Sequence, residues 1–294
     1  MERKPLDATA IGIMVVLTAL WGAQQVAIKL AAEDVSLVMQ GGIRSVVATA
    51  LLWLWARQQG IALFGRDGTL AAGLCAGLLF AGEFVFIYAG LAHTTASRMV
   101  VFVYIAPVVV ALGLHALIPA ERLAPRQWAG VLLAFAGVVV AFHEGFTAGR
   151  GTWAGDLCGI VAGVLWALTT VLLRATRLAH VTATKALFYQ HAVTALVMPL
   201  ASLALGEPGV VRLGALALGS LVFQSVVVAF ASFLLWFWLL TRYLAARISV
   251  LAFMTPLWGV LFGTLILGDP VGPAYLAAAL LVGAGIVLVN LKRA

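Results

Sequence analysis

The chain has 294 residues, of which 64% are hydrophobic and only 10% are charged, and its formal net charge is +7. A soluble domain carries about 25% charged residues, so this composition excludes an ordinary water-soluble fold. Almost no sequence lies outside long apolar stretches, which excludes a soluble catalytic domain. The basic residues lie in short loops between these stretches, so membrane topology explains the positive charge better than nucleic-acid binding does.

Apolar segments long enough to cross a bilayer follow one another along the whole chain. A membrane helix needs about 20 apolar residues. The segments are apolar without strand-like alternation, so we predict helices rather than a β-barrel. Charged residues, prolines and glycines divide the chain into ten predicted spans: 8–31, 36–56, 69–91, 97–118, 126–143, 153–173, 183–205, 214–240, 247–267 and 272–291.

The basic residues are distributed unequally between the two sides of this predicted topology. Thirteen of the 18 lysines and arginines lie in loops on one side, four lie on the other, and Arg44 lies within a span. The positive-inside rule then places both termini in the cytoplasm, which requires an even number of spans. We therefore expect a multi-pass protein of a bacterial-type inner (plasma) membrane.

The two halves of the chain repeat a set of positions at an offset of 145–149 residues. The matched positions are Trp21 and Trp166, Lys29 and Arg174, Arg98 and Arg247, Pro107 and Pro256, Glu121 and Asp269, and Gly137 and Gly285. The predicted domains are residues 1–147 and 148–294, with five spans each. Because five is odd, the second repeat must enter the membrane from the opposite side. Inverted repeats are typical of secondary transporters, although some channels also contain them.

Several short motifs, with looser counterparts in the second half, point to a known family. They are Leu20-Trp21-Gly22 with Lys29, the run from Ala96 through Pro107 to Glu121-Arg122-Leu123, and Gln127-Trp128-Ala129-Gly130 with Gly137. The chain resembles the drug/metabolite transporter superfamily, EamA branch, and within it the YddG-type amino acid exporters. The resemblance implies export of amino acids, aromatic or neutral ones first, by alternating access; the alternative substrates are other small metabolites or cationic and aromatic drugs. The second half departs from the pattern, because Ala167 follows Trp166 and Asp269 stands where glutamate is usual, so the halves can differ in role.

Arg44 and Glu83 are the charged residues placed clearly inside predicted spans. A charge in lipid costs several kcal/mol unless it faces protein or water. Each lies eight residues from the same membrane face, about 12 Å deep. They are predicted to form a charge pair or a coupling site, either in a polar cavity or as a structural ion pair that orients two helices.

Other polar and aromatic residues within spans are predicted to surround a midplane cavity between the repeats. Trp21, Gln24 and Gln25 share one helical face, and Trp166 with Thr169-Thr170 forms the matching face in the second half. The alternative for such glutamines is a hydrogen bond between helices, and for the aromatics it is packing. The predicted substrate-binding residues are Trp21, Gln24, Glu83, Tyr104, Trp166, Gln190 and Gln224.

Pro107 and Pro256 occupy equivalent positions in the fourth and ninth spans. Proline removes a backbone hydrogen bond within a helix and favours a bend, so we predict that these helices act as hinges or gates. The basic residues near helix ends, Arg98 and Arg174 among them, are expected to extend to the interface as anchors.

The sequence has no nucleotide-binding loop, no HExxH or GxSxG motif and no Cys/His cluster. We therefore expect no cofactor, no metal and no enzymatic activity; Glu83 and His191 would be the only acid–base groups for an intramembrane enzyme. A channel is the competing class. The expected partners are the bilayer and a small-molecule substrate, which the resemblance implies is an amino acid, with a proton or no ion coupled to its transport. The sequence does not specify an oligomer and is consistent with a monomer.

Overall fold

The computed structural model describes residues 4, 6–65, 67–147, 152–268 and 271–291. Asp269 and the basic residues Arg66 and Arg150 lie outside the described residues. The described part is helical, with two isolated β-bridges and no extended strand. The apolar helices are α1 Ala8–Ala31, α2 Leu37–Gln58, α3 Leu70–Leu91, α4 Ala96–Leu117, α5 Pro125–Ala141, α6 Trp153–Ala175, α7 Ala183–Ala204, α8 Ala215–Arg242, α9 Ala245–Leu267 and α10 Ala274–Asn290.

Eight of these helices are long and apolar enough to cross a membrane, by length and composition. The other two, α5 and α10, have 17 residues each. At 1.5 Å per residue they are about 26 Å long, which is at the lower limit for a span. The helices coincide with the predicted segments, while the crossing of the membrane by all ten remains a prediction.

Helix starts follow ordinary capping chemistry. The Asp7 carboxylate accepts from the backbone N–H of Ala10 at 2.8 Å at the start of α1. Thr152 and Thr182 cap α6 and α7 in the same way through their hydroxyl oxygens. These side chains satisfy backbone donors that a helix leaves unpaired in its first turn.

Helices α4 and α9 are interrupted just before their prolines. In α4 the regular helix stops at Val103 and resumes at Ala106, next to Pro107. In α9 a 3₁₀ turn, Leu251–Phe253, separates Ala245–Val250 from the segment that contains Pro256. The break is expected, because proline lacks the N–H that would bond four residues back. The hinge or gate role of both prolines remains a prediction.

Helix α8 has a different irregularity, a π-helical stretch from Phe223 to Ser232. This stretch has no proline, and nothing in the sequence marks it. π-helical turns are frequent at functional sites.

The helix contacts are related between the two halves. Helix α1 packs on α9, and α6 packs on α4; α3 packs on α6 and α7, and α8 packs on α1 and α2. Advancing every helix by five positions therefore reproduces the contact pattern. Helices α2 and α7 pair with each other, and so do α5 and α10.

Helices α5 and α10 pack closely at Gly130 and Gly285, and substitution of Gly285 tests this interface. A Cβ atom on Gly285 would lie 2.5 Å from the Gly130 carbonyl oxygen and 2.6 Å from the Ala134 nitrogen, both backbone atoms. We expect Gly285→Leu to destabilise the protein by about 3 kcal/mol through overpacking. Gly283→Leu is the matched control, since nothing lies within 4 Å of a Cβ at Gly283. Equal thermal unfolding temperatures of the two variants in detergent would contradict this interface.

Candidate functional site

A cavity of about 170 Å³ lies inside the bundle, between α1, α3, α4, α6, α7, α8 and α9. Among the predicted substrate-binding residues, Trp21, Gln24, Glu83, Tyr104, Trp166 and Gln190 line it. The remaining lining residues are Gln25, Phe80, Phe84, Ile87, Val103, Thr169, Thr170, Leu173, Phe233, Trp236, Phe237 and Thr255. The structure thus brings both halves of the chain together around one cavity; the binding role of these side chains remains a prediction.

The lining residues that the sequence did not single out include Ile87, Val103, Leu173, Phe233 and Thr255. Helical spacing predicts the position of two of them. Ile87 follows Glu83 by four residues, and Leu173 follows Thr169 by four, so each shares a face with a residue already singled out. Thr255 immediately precedes Pro256 and is buried.

Gln224 is the predicted residue that lies outside the cavity. Its Nε2 donates to Gln40 Oε1 at 2.8 Å and to Ser220 Oγ at 3.0 Å. The Gln40 amide in turn donates to the Val35 carbonyl at 2.8 Å. Gln224 therefore joins α8 to α2, which is the interhelical alternative for a buried glutamine.

Aromatic rings form much of the cavity wall. Trp21 packs edge to face on Phe233 and Trp236, at 5.8 and 5.7 Å between ring centroids. Tyr104 packs on Trp166 in the same way, at 5.5 Å. The Trp21 indole N–H donates to Ser232 Oγ at 2.9 Å, so this ring is fixed to the π-helical part of α8. The wall is apolar, with its largest rings held in place.

Four polar atoms on the cavity wall have no partner among the described residues. They are Glu83 Oε2, Gln24 Nε2, Gln190 Oε1 and Thr255 Oγ1, all buried. The Gln190 amide nitrogen is occupied, because it donates to the Ala186 carbonyl at 3.2 Å. Buried polar groups are normally hydrogen-bonded. The cavity therefore presents two acceptors, one amide donor and one hydroxyl that can donate or accept, all of which a ligand can satisfy.

Arg44 is buried beside this cavity and does not line it. Its guanidinium lies over the Phe84 ring, with Cζ 4.3 Å from the ring centroid. Its Nε and Nη2 atoms have no partner in the described part of the chain. Phe84 lines the cavity, so Arg44 contacts a residue of the cavity wall.

The predicted Arg44–Glu83 charge pair is not formed as an ion pair in this structure. The charged atoms of the two described side chains do not approach within 4.0 Å, the limit for a salt bridge. Equal depth fixes the height of two groups in a bundle but not their direction around each helix axis. Arg44 instead makes the cation–π contact with Phe84.

His191 does not join Glu83 in the cavity. Its Nδ1 lies 3.3 Å from Ser45 Oγ and its Nε2 lies 3.1 Å from the Ala229 carbonyl oxygen. Both ring nitrogens are therefore engaged in packing contacts between α7, α2 and α8. This geometry gives no support to an acid–base pair of Glu83 and His191.

One end of the bundle, at which α1 and α9 begin, is called here the terminal face. A buried carboxylate links three elements at this face: Glu121 pairs with Arg174 and accepts from the backbone N–H groups of Ala245 and Ala246, both at 3.1 Å. The carboxylate thus satisfies the first turn of α9. Arg174 is a buried ion-pair partner rather than the interfacial anchor that the sequence suggested.

Further contacts at the terminal face join the chain before α1 to the start of α9. The Lys4 N–H donates to the Arg242 carbonyl at 3.0 Å. The Tyr243 hydroxyl donates to Asp7 at 2.9 Å. The Ala10 N–H and the Tyr243 hydroxyl hold the pKa of Asp7 below its usual value, so Asp7 remains ionised.

The opposite face is more open. Gln25, which lines the cavity in the second half of α1, is exposed. In the first half of α9, residues 245–253, every side chain but Arg247 is buried; in the equivalent stretch of α4, residues 96–104, only Met99, Val101 and Val103 are buried. Arg98 pairs with Asp156 at the edge of this face, with side chains 16% and 15% exposed. The cavity is therefore enclosed by buried residues toward the terminal face and has an exposed lining residue, Gln25, toward the opposite one.

Long apolar helices around a central, partly polar cavity define a multi-pass membrane transporter. The chain belongs to the EamA-like transporter family, whose model matches residues 8–142 and again 153–291. It is similar to a protein named as an uncharacterized transporter of Archaeoglobus fulgidus, with 27% identity over 259 residues, covering 85% of this chain and 86% of the relative.

Two further comparisons concern a second relative and a solved structure. The chain is 22% identical over 281 residues to the uncharacterized transporter YoaV of Bacillus subtilis, covering 94% of each chain. A solved crystal structure superposes with a TM-score of 0.80 over 96% of this chain and 98% of that one. Its sequence identity is 22%, so this likeness concerns the fold alone.

Proposed function

We propose that the chain is a secondary active transporter that moves small metabolites with an amino group and an apolar or aromatic body by alternating access. Within this class, export of aromatic and neutral amino acids is the specific activity that the sequence resemblance suggests. The cavity walls support the class, since they combine aromatic rings with unpartnered hydrogen-bonding groups at Glu83, Gln24 and Gln190.

The proposal includes the topology. All ten helices cross a plasma membrane, both termini lie in the cytoplasm, and residues 1–147 and 148–294 are repeats of inverted orientation. The two successive family matches and the helix contacts related by five positions support this arrangement. The terminal face is then cytoplasmic and the opposite face external.

The main support for alternating access is that equivalent segments of α4 and α9, residues 96–104 and 245–253, are buried to different extents. Residues 245–253 of α9 seal the cavity at one face, while residues 96–104 of α4 leave it accessible at the other. Two inverted repeats that differ in this way exchange conformations to open the site on the other side. A channel needs both ends open at once, and the buried contacts of Glu121 oppose that.

Reciprocal labelling of equivalent positions tests alternating access. Cys75 and Cys158 are first replaced by serine, and Ala96→Cys and Ala245→Cys are then made singly. Ala96 is exposed and Ala245 is fully buried, so a maleimide should label the first and spare the second. We expect a transported substrate to slow labelling at 96 and to accelerate it at 245.

Counterflow in proteoliposomes with a panel of amino acids and related amines identifies the substrate. Labelling that is unaffected by any transported solute at either position would contradict alternating access. Unitary conductance in a planar bilayer would instead indicate a channel.

A further inference from the structure

Glu83 is the single charged side chain among the described residues that line the cavity. It is 7% exposed, and its Oε2 atom has no partner. A carboxylate removed from water needs a counter-charge and hydrogen-bond donors to offset its desolvation. The cavity itself supplies neither to Oε2, so the geometry leaves this place for a bound ligand.

From this geometry we infer that the cavity takes an organic amine in its protonated form, with an aromatic or apolar body and without a carboxylate. The inference rests on the proposed transport of small metabolites with an amino group. Within that class it favours amines over the amino acids that the sequence resemblance suggests. The ammonium donates to Glu83, and one of its N–H groups reaches the free carbonyl oxygen of Gln190.

The surrounding rings favour the same ligand. A cation is attracted to the faces of aromatic side chains. Phe80 and Phe84 flank Glu83 along α3, and Trp166 faces them from α6 on the same cavity. The apolar body of the amine packs against Trp21 and Phe233, whose rings are already held together.

A ligand carboxylate finds little to bind in this cavity. Gln24 Nε2 and the Thr255 hydroxyl are the unpartnered donors identified on the described wall; neither is charged, and the Glu83 charge repels an anion. Arg44 would be the natural partner for a carboxylate, but it does not line the cavity and its guanidinium stacks on the Phe84 ring. Binding of an amino acid therefore removes its carboxylate from water without supplying a charged partner. The corresponding amine has no carboxylate to desolvate.

Binding of three indoles that carry different charged groups on the side chain tests the inference. Tryptamine carries an ammonium, tryptophan carries an ammonium and a carboxylate, and indole-3-propionate carries a carboxylate alone. Calorimetric titration of the purified protein in detergent measures all three without passive permeation. We expect tryptamine to bind at least about tenfold more tightly than tryptophan, and indole-3-propionate to show no binding, because a buried carboxylate lacks a partner.

Two variants assign the preference to Glu83. Glu83→Gln should weaken tryptamine binding at least about tenfold and leave tryptophan nearly unchanged. Glu33→Gln is the charge-matched control, because Glu33 is exposed and does not line the cavity. Glu33→Gln should bind all three ligands as the parent does, and both variants should unfold at the parent temperature.

The ranking in the parent protein decides the inference even if Glu83→Gln fails to fold. Tighter binding of tryptophan than of tryptamine would overturn it, and loss of that preference in Arg44→Gln would identify Arg44 as a carboxylate ligand exposed by movement of Phe84. If none of the indoles binds while counterflow detects other metabolites, the amine inference fails and the proposed transport stands.

Discussion

Replacing Glu121 by alanine is expected to destabilise the protein by about 3–5 kcal/mol, because the change leaves the Arg174 charge buried without its partner. Arg174 is 6% exposed and Glu121 is 1% exposed, so water cannot replace the lost contact. The backbone N–H groups of Ala245 and Ala246 lose their acceptor as well. Thermal unfolding of the purified protein in detergent measures the loss.

The Arg98–Asp156 pair provides the matched control at the opposite face. Both side chains are partly exposed there, and pairs accessible to water contribute about 1 kcal/mol or less. Asp156→Ala should therefore cost much less than Glu121→Ala. The double variant Glu121→Ala/Arg174→Met should recover much of the loss, since it removes the buried charge too. If Glu121→Ala and Asp156→Ala lower the free energy of unfolding equally, the buried contacts of Glu121 do not stabilise the terminal face more than an exposed pair does.

Glu121 also connects stability with conformation. Its carboxylate holds the start of α9 in place, next to the segment that closes the cavity. Opening at the terminal face must break these bonds if α9 is a gate. Glu121→Gln keeps the shape but weakens the bonds, so Ala245→Cys should become more reactive in that background. Unchanged reactivity would show that the Glu121 contacts stabilise the fold without controlling access to the cavity.

Sequence reasoning located the helices well because the hydrocarbon core imposes a long apolar segment on each of them. The breaks in α4 and α9 also follow from local chemistry, since Pro107 and Pro256 cannot donate. The π-helical stretch around Gln224 could not be foreseen, because it depends on how α8 packs against α1 and α2.

The same reasoning found much of the cavity wall, since polar residues within apolar spans must face protein or water. The sequence does not show whether such a residue faces the cavity or hydrogen-bonds to another helix. Gln190 has an amide oxygen free on the cavity wall, while Gln224 is bonded to Gln40, 184 positions away in the sequence. Likewise, depth along the helix suggested an Arg44–Glu83 pair, but rotation about the helix axes put Phe84 against Arg44. Only tertiary packing decides these matters.

Glu83→Gln is expected to abolish the dependence of amine binding on pH. A carboxylate can hold either a proton or an ammonium, so acidification should weaken tryptamine binding to the parent protein by competition. The other titratable or charged groups near this carboxylate are Tyr104 on the same wall, Tyr88 on the same helix, Arg44 on the Phe84 ring, and His191 beside Phe80. Titrations between about pH 5 and pH 8 measure the competition, a range in which neither tyrosine nor arginine normally changes charge.

The same exchange at Glu83 predicts how transport responds to a pH gradient. If protons and amines exchange at Glu83, a pH gradient drives substrate uphill in the parent protein and has no effect in Glu83→Gln, which should still exchange substrate for substrate. His191→Gln is the control for the remaining titratable ring, and it should keep the response to pH. A pH response that survives in Glu83→Gln would place the coupling elsewhere.

The free energy of unfolding distinguishes a substrate-binding role of Glu83 from a structural one. If Arg44 and Glu83 formed a structural pair, Glu83→Gln and Arg44→Gln would each destabilise by about 3–5 kcal/mol, and the double variant would recover much of that. The structure has no ion pair between them to lose, so Glu83→Gln alone should unfold at the parent temperature or above it. Rescue of both stability and transport kinetics in the double variant would therefore refute a direct substrate role for either residue.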